Sequence, residues 1–520
     1  MRMKNSRLET QVLIIGGGLT GAGLARDLAL RGVSCLVVER GDLNAGASGS
    51  NHGLLHSGAR YVSNDPAAAQ ECCDEAKLLK KLSPDCIQDT GGLFIALAGD
   101  NENYIADFPG LCGQNGIPVT EVDCGEIRAL EPEVSHNIIA AYRVEDATVD
   151  PFKLCFDNLA EAEGHGATVL TRTEVAKIER DQNRIHAVVL RRKEGGREFT
   201  VMAEQVASAT GAWAGKVAAL AGVEIPMAWS KGTLLVSHRR MNQNVINRLR
   251  PPGDGDIVVP GGTVSVLGTT SVRITDLDRS RPTFEEVDFL VEETAKMIPA
   301  LRTARYVRAF AGVRPLPSQK ACSDDRSVSR GFLILDHEAE GLSNFVTVTG
   351  GKLTTFRLMA EKAADLLCRR LKVTSPCLTR ERPLIGHEST KWVLAGLAPR
   401  LWRQGYERDE AIICECEMVP FSVMKNLIEY LRDHGDPITI DAIRMRSRLG
   451  KGACQGAFCG LRTCAYLYDG DEVKGDEGQS QLKNFLERRW HGLRPVLWGT
   501  QLAQEGLQEA IHCGLLGLEL

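Results

Sequence analysis

The sequence predicts an α/β chain: a doubly wound parallel sheet, an antiparallel sheet set into it, and a small, mainly helical module behind both. Three observations predict this. An apolar run at residues 11–15 ends at Gly16, Gly18 and Gly21, after which Ala22, Ala25, Leu28 and Ala29 recur at helical spacing and a second apolar run, 33–38, ends at Glu39. Between Lys231 and Thr270 the pattern changes to short alternating pieces, TLLVS, DIVVP and VSVLGTT. Near the end, Cys414 and Cys416 are separated from Cys454 and Cys459 by two helix candidates, at 420–433 and from about 439.

The first unit is strand, tight turn, helix, strand, a Rossmann-like opening. In G-x-G-x-x-G, Gly16 permits the turn, Gly18 lets backbone approach a pyrophosphate, and Gly21 lets helix and strand pack closely. The unpaired N–H groups at the helix start face the phosphates. Glu39, ending the second strand, is placed to accept hydrogen bonds from an adenosine ribose. These features predict a dinucleotide, with FAD or NAD undecided by the motif alone. The connector ASGSNHGLLHSGARY at 47–61 is rich in small residues, which lets backbone lie against a flat ring system, and it offers His52, His56, Arg60 and Tyr61 for polar contacts.

Helices are predicted near 66–83 and 151–164, and a strand at 92–97. The run at 201–214 reads as a strand returning to the nucleotide-binding sheet. An inserted antiparallel region includes about 225–330 and carries a helix at 284–298. AGVRPLPS at 311–318 sets Arg314 before a proline-stiffened turn. TVTGGKLTTFR at 347–357 sets Gly350, Gly351 and Lys352 between a strand and a helix, where backbone N–H groups face an anionic oxygen. Residues 1–375 thus form one oxidoreductase-like region, 376–410 a connector opened by Pro376 and Pro383, 411–465 the cysteine module and 466–520 a C-terminal extension.

At 520 residues the chain divides into several cores. A net charge of −5 argues against a nucleic-acid partner, which needs concentrated positive charge. No apolar run reaches the 18 residues of a membrane-spanning helix, and the first residues lack a signal-peptide layout. The 16 cysteines are therefore expected as reduced thiols, with Cys35, Cys155 and Cys368 filling cores.

Cys414, Cys416, Cys454 and Cys459 are soft ligands whose spacing admits an iron–sulfur cluster, zinc or unligated thiols. Structural zinc pairs have two to four intervening residues, which Cys-x-Cys does not match. The plant-type ferredoxin spacing differs too. Arg444, Arg446, Arg448 and Lys451 precede the second pair and are expected to offset thiolate charge. Cys464 reads as core filling.

Taken together, GGGLTGAGLARDLALRG at 16–32, NHGLLHSGARY at 51–61, TVDPFKL at 148–154, AGVRPL at 311–316, TVTGGKLTTFRLMAE at 347–361, CECE at 414–417 and GACQGAFCG at 452–460 resemble one family over almost the whole chain. WSKGTLLV at 229–236, LGTTSVRI at 267–274 and VSRGFLILDH at 328–337 extend the likeness. The family is the large catalytic subunit of anaerobic, quinone-linked glycerol-3-phosphate dehydrogenase. Its flavoprotein part is similar to the D-amino-acid-oxidase-like superfamily, and its C-terminal part to a bacterioferritin-associated-ferredoxin-like module.

The resemblance implies FAD as first acceptor, a [2Fe-2S] cluster on Cys414, Cys416, Cys454 and Cys459, and oxidation of sn-glycerol 3-phosphate to dihydroxyacetone phosphate. It implies partners as well: a second flavoprotein subunit and a membrane-anchoring iron–sulfur subunit, through which menaquinone is reached at the cytoplasmic side of the inner membrane. Carried over by motif, Arg60 and Tyr61 line the phosphate region, Arg314 lies near the substrate hydroxyl, and Arg330 and Lys352 hold phosphate or support the flavin. His56 matches a motif histidine, with Ser57 where relatives have glycine, and is the side-chain base candidate. The competing readings are an FAD-dependent amino-acid or amine oxidase with a regulatory cysteine module, and an electron-transfer protein without substrate chemistry.

Overall fold

The computed structural model describes residues 7–317, 331–386 and 410–517. Arg330, and residues 387–409 of the expected connector, lie outside the described residues.

The parallel sheet is built on the strand Arg7–Ile15, paired on one side with Cys35–Val38 and on the other with Glu198–Ser208. Thr168–Leu170 extends one edge and Phe345–Gly350 the other, all in parallel. The expected return strand is therefore real, and its last residues face the glycine turn across the register Ile15↔Ser208. Antiparallel strands complete the sheet, which has eight strands among the described residues.

The helix Leu19–Leu30 covers the sheet because its small and apolar residues fall on every turn, and Leu24, Ala25 and Leu28 are fully buried. Each buried leucine contributes about 1.5–3 kcal/mol. Gly23 lets a second helix, Phe356–Leu371, approach: a Cβ there would lie 3.0 Å from the Phe356 ring and 3.2 Å from the Ala360 methyl. A third helix, Pro151–Gly164, starts at Pro151, whose missing N–H suits the first turn, and Asp150 caps it by accepting from the Phe152 and Lys153 amides at 2.9 and 3.2 Å.

The second sheet is largely antiparallel, with nine strands among the described residues. Its longest ladder joins Met227–Ser237 to Tyr306–Pro317, in the register Ser230↔Arg314 and Gly232↔Gly312. The expected helix at 284–298 is Phe284–Met297, closed by a Thr283–Glu286 capping box.

In the C-terminal part, the helices Phe421–His434, Ile440–Met445 and Cys459–Asp469 surround the four cysteines. The local arginines dock this part onto the nucleotide-binding region. Arg446 pairs with Asp42 at 2.8 Å and Asp436 at 3.3 Å, and Arg448 with Glu417 at 2.5 Å and Asp150 at 2.9 Å. The basic run expected to offset cysteine charge is thus largely committed to carboxylates, because its side chains face a buried acidic seam.

A buried charge network ties the helix Phe356–Leu371 to the helix Pro66–Leu82. Arg357 holds Glu75 through two hydrogen bonds, at 2.8 and 2.5 Å, and Glu361 through a third at 2.7 Å. Removing one partner strands a buried charge. Glu75→Ala is expected to destabilise the nucleotide-binding region by about 3–5 kcal/mol, read as an earlier midpoint in denaturant unfolding followed by circular dichroism.

Candidate functional site

The glycine turn is held by close contacts that tolerate no side chain. Gly16 has φ +113°, and a Cβ on it would lie 2.5 Å from the Ala209 carbonyl oxygen. At Gly21 a Cβ would lie 1.9 Å from the Gly16 carbonyl oxygen. Gly18 precedes the first helical residue, and Ser48 Oγ, 3.0 Å from its would-be Cβ, accepts the Leu19 N–H at 3.0 Å. The Glu39 carboxylate accepts the Gly17 and Gly41 amides at 2.8 and 2.7 Å; burial raises its pKa, against the pull of those two hydrogen bonds.

This turn forms one end of a cavity of about 590 Å³. Gly16, Gly18 and Glu39 line that end, and His56, Arg60, Tyr61, Arg314, Gly350, Gly351 and Lys352 also line the cavity. Gly21 stands outside the lining and acts through packing. The structure therefore brings the expected residues of five separated segments into one space, with Gly350 and Gly351 at φ +80° and +72° turning the chain beneath it.

His56 is buried, and its backbone N–H donates to Thr354 Oγ1 at 3.1 Å. Its Nε2 lies 3.4 Å from the Tyr61 hydroxyl. Burial, then the neighbouring His52, Arg60 and Lys352, holds its pKa well below the usual imidazole range. His52 is lowered to about 3 by burial and by Arg314 and Arg60. Both rings are neutral near pH 7, so each has a nitrogen lone pair open to a proton. The amide of Ser57 donates to buried Asp146 at 2.7 Å, which pins the loop carrying His56.

The cations are held in different ways. Arg60 is fixed by Asp256 at 3.0 Å and by the Gly253 carbonyl at 3.0 Å, while its Nη1 is buried with no hydrogen-bond partner among the described residues. Arg314 donates to the Thr270 carbonyl at 3.1 Å and to the Thr269 hydroxyl. Lys352 Nζ stands 4.6 Å from the Tyr61 ring centre, a cation–π contact.

Sequence reasoning missed Ser48, Asp146, Asp256 and Gly232. A Cβ at Gly232 would meet Arg314 Nη2 at 2.5 Å, so this glycine makes room for the guanidinium. A glycine inside a strand pattern signals close approach, and WSKGTLLV carried that signal.

The four cysteines lie in two pairs. Cys414 stands beside Cys459, and Cys416 beside Cys454. Nearby backbone amides favour the thiolate form of each sulfur: Glu417 for Cys414, Cys454 for Cys416, Gly450 for Cys459, and Gly456, Ala457 and Phe458 for Cys454. Positive φ at Met418, Gly450, Gln455 and Gly456 turns the two loops so that this occurs. The neighbouring Cys416, against burial and with the amides, holds Cys454 below the usual thiol range. Among the described residues, no three His, Cys, Asp or Glu side chains are grouped to hold a metal ion. Four cysteines in two pairs, with amides nearby that favour their thiolates, nonetheless have the donor chemistry of a thiolate-ligated centre.

The FAD dependent oxidoreductase family matches residues 11–366. The A-subunit of anaerobic glycerol-3-phosphate dehydrogenase from Escherichia coli K12 is 39% identical over 540 residues, covering 100% of this chain and 99% of its own length. The chain belongs to this A-subunit family of FAD-dependent oxidoreductases. The corresponding A1-subunit of Haloferax volcanii is 35% identical, covering 97% of this chain and 90% of its own. Among solved structures, the glycerol-3-phosphate dehydrogenase of Bacillus halodurans complexed with FAD shares the fold with a TM-score of 0.66 at 19% identity, covering 94% of this chain and 96% of that one.

The glycine cradle and the helix N-terminus behind it fit an FAD in the cavity. Gly21→Ala is expected to cut FAD bound per purified chain at least tenfold, a loss of about 1.4 kcal/mol or more in affinity. The visible flavin absorbance relative to that at 280 nm checks it.

Proposed function

We propose that this chain is the catalytic subunit of a quinone-linked glycerol-3-phosphate dehydrogenase. It oxidises sn-glycerol 3-phosphate to dihydroxyacetone phosphate and passes the electrons through a [2Fe-2S] cluster toward menaquinone. The observation that carries this reading is the gathering of His56, Tyr61, Arg60, Arg314 and Lys352 in the cavity that the glycine turn opens.

FAD bound in the cavity would supply a two-electron acceptor for the hydride leaving the substrate C2. The chain's own residues do the rest. Lys352, the open Nη1 of Arg60 and Arg330 bind the phosphate dianion, with Tyr61 beside them. Arg314 faces the alcohol oxygen and stabilises the charge that grows on it as the proton leaves. His56, neutral because it is buried, takes that proton. Three cationic side chains favour a phosphate dianion over the single carboxylate of an amino acid.

Cys414, Cys416, Cys454 and Cys459 hold the cluster, which carries one electron at a time. The same reading gives the chain its partners, a second flavoprotein subunit and a membrane-anchoring iron–sulfur subunit, and a peripheral place at the cytoplasmic face of the inner membrane. No helix among the described residues is long and apolar enough to cross a membrane. It also assigns residues 1–375 to FAD and substrate, 376–410 to a connector, 411–465 to the cluster module and 466–520 to an extension.

Anaerobic glycerol 3-phosphate is expected to bleach the flavin band of the purified protein; an unchanged band contradicts the reading. Arg314→Ala should lower kcat about 10²–10³-fold at saturating substrate, and near-normal turnover removes the oxyanion role. Because burial lowers the His56 pKa, the ring stays unprotonated down to well below pH 6.5. The saturated kcat is therefore expected to stay flat from about pH 8 to pH 6, where an ordinary histidine base would lose more than half its activity.

A further inference from the structure

Residues 466–520 carry no motif, yet the helix Glu477–Leu493 closes over the cysteine loop. Arg489 Nη1 donates to Gln455 Oε1 at 3.0 Å, one residue from Cys454. A Cβ on Gly450, in the loop before Cys454, would lie 3.0 Å from Arg489 Nη2. The Phe485 ring fills the space a Cβ would need at Gly456 and Gly460, 2.3 and 2.7 Å away, and the Arg489 guanidinium stands 5.0 Å from its centre. Two more arginines act on this site. Arg308, from the strand Tyr306–Pro317, packs its stem where a Cβ on Gly492 would lie, at 3.0 Å, and Arg444 comes from the helix Ile440–Met445.

This charge is poorly balanced by the protein itself. Among the described residues, Arg489 Nη2 and Arg308 Nε are buried without hydrogen-bond partners. Asp441, the nearby carboxylate, is shared by Arg444 at 3.2 Å and Arg488 at 2.6 Å. Burial, then Arg308 and Arg444, holds Arg489 well below the usual arginine range, with Cys459 and Asp441 opposing. Burial and Arg444 bring Arg308 down to about 10. Buried cations without counter-ions are unfavourable, so an anion belongs beside them. The four cysteines are where one would form. Thiolates around an iron–sulfur core give a net anion, and each electron it accepts adds one negative charge with no bond made or broken.

We propose that Arg489, with Arg308 and Arg444, is the counter-charge of the group held by Cys414, Cys416, Cys454 and Cys459, and that it raises that group's reduction potential. The inference rests on the cluster reading above. Arg489 is a positioning residue: it touches the loop that presents the ligands and acts on the electrons through its field. Its place in the extension, beyond the cysteine motif, ties that extension to electron transfer.

The test is an anaerobic redox titration of the FAD-loaded full chain, followed by EPR, for wild type, Arg489→Gln and Arg489→Lys. Arg489→Gln is expected to lower the reduced-to-oxidised ratio of the cluster at fixed potential about tenfold, a shift of about 59 mV to more negative potential. Arg489→Lys should restore most of it. Loss of iron from Arg489→Gln with FAD retained, and its recovery in Arg489→Lys, supports the same role. An Arg489→Gln protein with wild-type potential and iron content overturns the inference while leaving the cluster intact. A wild-type protein that shows no cluster after anaerobic iron and sulfide reconstitution overturns the cluster reading itself. Should Arg489→Gln fail to retain FAD, Arg308→Gln reads the same shift, and an unchanged potential there overturns the proposal.

Discussion

The ladder between Met227–Ser237 and Tyr306–Pro317 is the constraint on which the two sites depend. Arg314 and Arg308 lie on one strand six residues apart, an even spacing that turns both to the same face about 20 Å from each other. Between them Gly312 lies under the loop that lines the cavity: a Cβ there would sit 2.1 Å from the Ser50 carbonyl oxygen. A one-residue slip would turn both arginines away and drive side chains into that loop. The register is held from both sides, by Gly232 beneath Arg314 and by Gly492 against Arg308.

The cysteine-bearing part is joined to the rest by buried ion pairs rather than by a smooth apolar face. Arg448 bridges Glu417, next to Cys416, and Asp150, the cap of a nucleotide-region helix. Arg446 reaches Asp42, three residues beyond Glu39. Such pairs add geometric definition more than stability, because desolvation offsets most of their attraction. They hold the cysteine loops in a fixed place relative to the nucleotide-binding region.

Much of this was legible in the sequence because it is local. The glycine turn, Glu39 and the strand at 33–38 follow from spacing and apolar pattern within 30 residues. His56, Arg314 and Lys352 were found through their glycine- and proline-framed neighbours. What the sequence hid depends on pairs far apart in the chain. Asp256 takes one arm of Arg60 across 196 positions, a partner no local pattern announces. Arg446 and Arg448 resembled counter-charge for the cysteines, but the tertiary fold turns them to carboxylates. The unpaired charge comes instead from Arg308 and Arg489, which no motif marks.

The most direct measurement is rapid anaerobic mixing of the purified chain with glycerol 3-phosphate, with flavin absorbance and freeze-quenched EPR followed in one time course. Flavin bleaching is expected first, with a reduced iron–sulfur signal after it. Replacing Cys414 and Cys459 by serine should remove the second event while keeping the first. Bleaching with no later iron–sulfur signal in cluster-loaded wild type, or no bleaching at all, would contradict the proposed route of the electrons.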